Sequence, residues 1–170
     1  MFRTISGVMC ALLLCFGLAA SAMAAPPEKS VRLGEFGLAK GVKGSLGGGM
    51  AVGTARYGAP GQSFPALLRQ DMAVALGWAQ SEEATAVLSA EIVEGHANML
   101  KGHVDLGLTA EFVLTRDGAE IFRKRLAVSE LRKRDIGGAA VAAVHFAKLF
   151  PALSRKLVED PDFNAALKPS

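Results

Sequence analysis

The sequence predicts an α+β fold: a two-layer sandwich, with an antiparallel sheet of three to four strands covered on one face by two helices. Three observations carry this expectation. Val104, Leu106, Leu108, Ala110, Phe112 and Leu114 occupy every second position, with Asp105, Gly107, Thr109 and Glu111 between them. That is the period of a half-buried strand. Two other stretches, Ser63 to Leu76 and Gly137 to Glu159, repeat apolar residues at three- and four-residue steps, as amphipathic helices do. The order is strand, long loop, helix, three closely linked strands, helix. It makes an antiparallel meander whose apolar face is the available cover for both helical stripes.

Met1 to Ala24 has the pattern of a secretory signal. Arg3 precedes an apolar run from Val8 to Ala20, and Ala22-Met23-Ala24 fits the small-x-small rule for cleavage after Ala24. The run is short for a bilayer span. Both cysteines, Cys10 and Cys15, lie inside this segment, so the mature chain is expected to hold no disulfide, thiol nucleophile or cysteine-based zinc site. Met9 and Leu14 precede them where a lipidation signal wants a small residue. Without Arg3, 18 basic residues face 16 acidic ones, a net charge of about +2 that does not mark a nucleic-acid binder. The remainder has the length of one domain: an N-terminal strand and glycine-rich loop over 25–62, and an α+β core over 63–167.

Ser30 to Leu38 reads as the first strand, with Val31, Leu33 and Glu35 on one side. Gly41 to Gly61 holds eight glycines but neither Gly-Lys-Ser/Thr nor G-x-G-x-x-G, so it reads as a connection rather than a phosphate loop. Ser63 is the expected N-cap of the first helix, with Pro65 in its first turn and Gly77 as its stop. Trp78, just beyond, is expected to close the core.

Ala86 to Glu94 is the next strand, with Leu88, Ala90 and Ile92 inward. Gly95 to Gly102 then links it to the hairpin Val104 to Ser129. A three-residue loop, Arg116-Asp117-Gly118, places Phe112 opposite Phe122, Leu108 opposite Leu126 and Leu106 opposite Val128. Lys124 then falls in the apolar row and must snorkel or sit near a sheet edge. Pro151 is expected to kink or break the long C-terminal helix near Phe150. Asp160-Pro161 stops it and caps a short one over Asp162 to Leu167.

Few residues point to chemistry. Glu94, His96, His103 and Asp105 are types that ligate metals, but the two histidines read as loop residues at loose spacing, and neither a metal nor a cofactor is expected. His145 flanks the helical stripe with no serine, cysteine or acid at a helpful offset. The basic residues Arg123, Arg125, Arg132, Lys133 and Arg134 are the candidate contacts for an anionic ligand such as lipid or lipopolysaccharide phosphate. Nucleic acid is not expected, because the nearby Phe112 and Phe122 fall on the buried side.

Several stretches carry a resemblance. Phe64-Pro65-Ala66-Leu67-Leu68-Arg69-Gln70-Asp71-Met72 runs into Gly77-Trp78, followed by the strand Val87 to Ile92, then Leu108 to Gly118, then Leu157-Val158-Glu159-Asp160-Pro161. Over roughly Ser63 to Leu167 the pattern resembles small Gram-negative envelope proteins of the YajG-like group. It is more distantly similar to the lipopolysaccharide-assembly lipoprotein LptE and to auxiliary lipoproteins of ABC transporters. The resemblance implies a non-catalytic envelope protein and supplies no catalytic residues. The expected function is that of a periplasmic binding or accessory protein whose partner is another envelope protein or an anionic lipid. A lipid or lipopolysaccharide carrier is the alternative, with a metal-dependent enzyme behind it. The oligomeric state is left open by the sequence.

Overall fold

The computed structural model describes residues 30–42, 63–133 and 138–168. The expected signal segment 1–24 with Cys10 and Cys15, nearly all of the glycine-rich connection, and Arg134 lie outside the described residues. One four-stranded sheet has the order β1-β2-β3-β4, built from β1 (Arg32–Leu38), β2 (Ala86–Leu100), β3 (His103–Arg116) and β4 (Ala119–Lys133). Among the described residues four α-helices accompany it: α1 (Phe64–Leu76), α2 (Gly138–Ala147), α3 (Leu149–Val158) and α4 (Pro161–Ala166). The α+β class with helices against a sheet is as expected. The sheet is mixed, because β1 joins the edge of the meander parallel to β2 after its crossover.

Local chemistry sets the helix ends. The Ser63 hydroxyl accepts a hydrogen bond from the Ala66 N–H, and the Asp160 carboxylate accepts from the N–H groups of Asp162 and Phe163. Each thereby satisfies N–H groups that the first turn leaves free. The break in the C-terminal helical region falls at Lys148, three residues before Pro151. Proline has no N–H for the carbonyl four residues back and its ring crowds that carbonyl, which here is Ala147, the last residue of α2.

The hairpin between β3 and β4 differs from the expected register. Its turn has two residues, Asp117 (φ 51°) and Gly118 (φ 80°), the paired left-handed conformation of a type I′ hairpin. A shift between Leu114 and Thr115 leaves Ile121 as an extra residue in β4. Phe112 therefore lies opposite Lys124, Leu114 opposite Phe122, and Leu108 opposite Val128. The displacement from the expected pairing is two residues, an even number, so the faces are unchanged. Phe112, Leu114, Phe122 and Leu126 are all buried.

β2 is longer than expected. A bulge at Val93 resets its alternation, and the strand runs on to Leu100 before the Lys101-Gly102 turn. His96 and His103 are thus strand residues rather than loop residues.

The core lies between the sheet and the helices. Phe64 of α1, Phe146 of α2 and Phe150 of α3 pack ring against ring, with centroids 5.6 to 5.8 Å apart. Phe122 of β4 meets Phe163 of α4 edge-on at 5.5 Å. Trp78 falls in a short 3-10 turn after α1, and its side chain lies outside the described residues.

Candidate interaction face

Among the described residues no helix lies over the second face of the sheet. That face carries Arg32 and Gly34 from β1; Val87, Ser89, Glu91, Glu94, His96 and Leu100 from β2; Asp105, Gly107, Glu111 and Val113 from β3; and Arg123, Arg125, Leu131 and Lys133 from β4. Leu131 is 66% exposed and Leu100 48% exposed, at the end remote from β1.

The four described members of the expected basic set, Arg123, Arg125, Arg132 and Lys133, are divided between the two faces of the sheet. Arg123 and Arg125 point to the open face, but Arg123 binds Glu111 at 2.5 Å and Glu120 at 2.6 Å, and Arg125 lies 3.6 Å from Glu111. Its hydrogen bonds to Glu120 and Glu111 hold the Arg123 guanidinium above the usual arginine range, and the same bond holds the Glu120 carboxyl below the usual carboxylate range. Lys133 stands on the open face opposite His103 at the far end. Arg132 lies on the other face, where it contacts the His145 imidazole of α2 and sits 3.4 Å from Glu130.

Lys124 also faces the helices. Its ammonium reaches Asp160 and Asp162 at the start of α4, each at 2.7 Å. This is the edge-strand snorkelling that the apolar row required. Hydrogen bonds to the two carboxylates raise the lysine above its ordinary range. Burial pushes the Asp160 carboxyl up, but the Lys124 ammonium and the N–H groups of Phe163 and Asp162 outweigh this and lower it.

The four candidate metal ligands are only partly brought together. His96 places Nδ1 3.5 Å from Glu94 and Nε2 3.5 Å from Asp105, with its ring lying over Gly107. His103 begins the next strand beyond the turn. Among the described residues no group of three or more histidine, cysteine, aspartate or glutamate side chains can hold a metal ion.

At the β1 end the open face carries a concavity of about 890 Å³. Val87 and Val113 form its floor, with Arg32, Arg69, Glu91 and Glu111 around it. Arg69 reaches it from α1, donating to the Leu33 carbonyl at 3.4 Å. Gly34 matters here because a β-carbon would fall 2.6 Å from Ser89 Oγ and 2.8 Å from Val87 Cγ1, so only glycine lets those side chains lean over β1. Sequence reasoning missed this site. The signal available was the pair Arg32 and Gly34 in alternate positions of β1, but the register of β1 against β2 is fixed across a long connection and is not readable from local pattern.

No protein-family model and no curated protein matches the chain. Solved structures do. A Xanthomonas campestris protein of the family DUF330 superposes with a TM-score of 0.57 at 11% identity, over 79% of this chain and 85% of that one. A minor lipoprotein from Acinetobacter baumannii superposes with a TM-score of 0.53 at 13% identity, over 81% of this chain and 95% of that one. A lipoprotein candidate from Caulobacter crescentus is 22% identical over 62% of this chain and 86% of that one, with a TM-score of 0.48. At these identities, what the chain shares with the first two is the fold.

Proposed function

We propose that this chain is a non-catalytic envelope protein, exported to the periplasm, that works by docking its open sheet face on another envelope component. The observation that carries the reading is the asymmetry of the sheet. One face is sealed by helices over a phenylalanine-rich core, while the other presents a charged concavity and exposed leucines. The secretory pattern of Met1 to Ala24 supports export. The fold shared with a lipoprotein of Acinetobacter baumannii supports an envelope setting, and the pattern-level likeness to YajG-like and LptE-like proteins points the same way.

Edge chemistry favours the face over the sheet edges as the docking surface. Each edge strand has a helix-borne cation on a main-chain carbonyl: Arg69 on Leu33 of β1, and Lys156 on Ala127 of β4 at 2.9 Å. Occupied carbonyls and nearby charge disfavour addition of a further strand.

The test is crosslinking in cells, followed by identification of captured proteins and lipids by mass spectrometry. A reproducible envelope protein, crosslinked from open-face positions such as Ser129 or Leu131, is the expected result. Capture of lipid alone would replace this reading with a carrier. Capture confined to the helical face would overturn the docking surface.

A further inference from the structure

We infer that the concavity beside β1 recognises an extended polypeptide segment bearing an acidic and a basic side chain four residues apart, with a small apolar residue midway between them. The inference rests on the docking reading above and names the partner chemistry of that face.

Three observations carry it. The first is the distribution of free charge. Arg32 and Glu91 have no hydrogen-bond or ion-pair partner among the described residues, and among them Arg69 makes one side-chain hydrogen bond, the long one to the Leu33 carbonyl. Arg123, on the same face, is already neutralised by Glu111 and Glu120. The unspent charge is therefore cationic at Arg32 and Arg69, and anionic at Glu91 and at Glu35 on the β1 rim.

The second is spacing. Arg32 lies opposite Val87, and Glu91 is four residues further along the same strand, opposite Gly37. At about 3.3 Å per residue the two charged ends are about 13 Å apart. A head group or a free amino acid, whose opposite charges are only a few bonds apart, meets one end and not the other. In an extended chain, residues i and i+4 point to one side and span this same about 13 Å. Residue i+2 then points at Val113, which pairs with Ser89 midway along the trough.

The third is shape. The concavity is an open trough of about 890 Å³, bounded by charged side chains over a small apolar floor. A polar rim around an apolar centre is the anatomy of a protein–protein contact. A bidentate guanidinium facing a carboxylate supplies its orientation.

The floor can be closed without disturbing the fold. A β-carbon at Gly37 meets nothing within 4 Å, and its φ is not in the left-handed region, so a large side chain there projects into the trough.

The experiment is fluorescence anisotropy with the purified mature protein and labelled, capped nonapeptides. The lead peptide carries Glu and Lys at positions i and i+4 with Val at i+2 in a Ser/Thr background. Control peptides carry two Glu, two Lys, or Glu and Lys on adjacent positions. The lead is expected to bind at least tenfold tighter than every control. Arg32→Glu and Glu91→Lys are each expected to weaken it at least tenfold. Gly37→Trp abolishes binding while leaving the melting temperature within a few degrees.

Equal binding of all peptides, or no binding at millimolar peptide, overturns the inference. So does an unchanged affinity in the folded Gly37→Trp protein. Anionic vesicles bound by wild type and lost in Gly37→Trp assign the trough to lipid instead. Concentration-dependent dimers lost in the same variant assign it to a second copy of this chain. Repeating the cellular crosslinking with Gly37→Trp separates the two levels: an unchanged envelope partner retires the trough and leaves the docking reading standing.

Discussion

Gly107 has no room for a β-carbon, because the His96 imidazole occupies that space between Glu94 and Asp105. Gly107→Ala must therefore expel the ring from its slot, at a cost of about 1–2 kcal/mol. In a His96→Ala background the same substitution gains about 0.5–1 kcal/mol, because alanine gives up less chain entropy in a strand than glycine. A double-mutant cycle by urea unfolding reads the coupling. Simple additivity would show that the imidazole does not rest on Gly107.

Asp71 supplies a pH test at the same scale. Burial against the α1–α3 seam raises its carboxyl above the usual range. A carboxyl raised in the folded state favours its protonated form, so the folded protein is penalised once the pH exceeds the ordinary aspartate value of about 3.9. Asp71→Asn is expected to be more stable than wild type at pH 7 and equal to it at pH 3, read by chemical denaturation at both values. These contacts were illegible in the sequence. Alternation puts His96 and Gly107 on one face of their strands, but only the register, after the bulge at Val93, puts them side by side.

Elements were legible where local pattern and local stops agree. Ser63, Gly77 and Asp160 cap or end helices by chemistry that acts within a few residues, and all three do so in the structure. Pairing was harder. A straight two-residue Asp117-Gly118 hairpin would set Phe112 against Arg123, and the sequence pattern therefore favours a three-residue loop. One extra residue, Ile121, resolves that conflict by restoring the face after the turn. Bulges are a property of two strands together and leave little trace in one of them.

The register that results brings Lys124 to the N-terminus of α4, and this contact is testable by its pH window. The Asp160 pKa is lowered on folding, so its contribution is present above about pH 4 and is lost as the pH falls through the folded value. The Lys124 pKa is raised, so its contribution is present below about pH 10 and is lost as the pH rises through the folded value. Lys124→Met keeps the apolar stem. It is expected to melt lower than wild type between those limits, by a gap that narrows as the pH falls below about 4. A gap that stays constant as the pH falls would assign the loss to packing rather than to charge.

At the scale of the whole molecule, every layer meets on β3. It is the interior strand between β2 and β4, and α2 and α3 both rest on it. Phe112, at its centre, is fully buried. This much was readable from the alternation of Val104 to Leu114, because a buried face demands it whatever the pairing. The parallel docking of β1 was not readable, since it depends on where a long connection returns the chain.

Truncating Phe112 removes a ring from the point where sheet and helices touch, and rigid neighbours on both sides limit how far the hole can collapse. The expected cost of Phe112→Ala is about 3–5 kcal/mol, a large fraction of the 5–15 kcal/mol that typically separates a domain from its unfolded state. The loss should appear as one cooperative transition, with far-UV dichroism and the fluorescence of the single tryptophan, Trp78, moving together. A cost below about 1 kcal/mol would mean that Phe112 faces solvent. The open face would then be the helical one, and the trough beside β1 would lie inside the protein, where no partner could reach it.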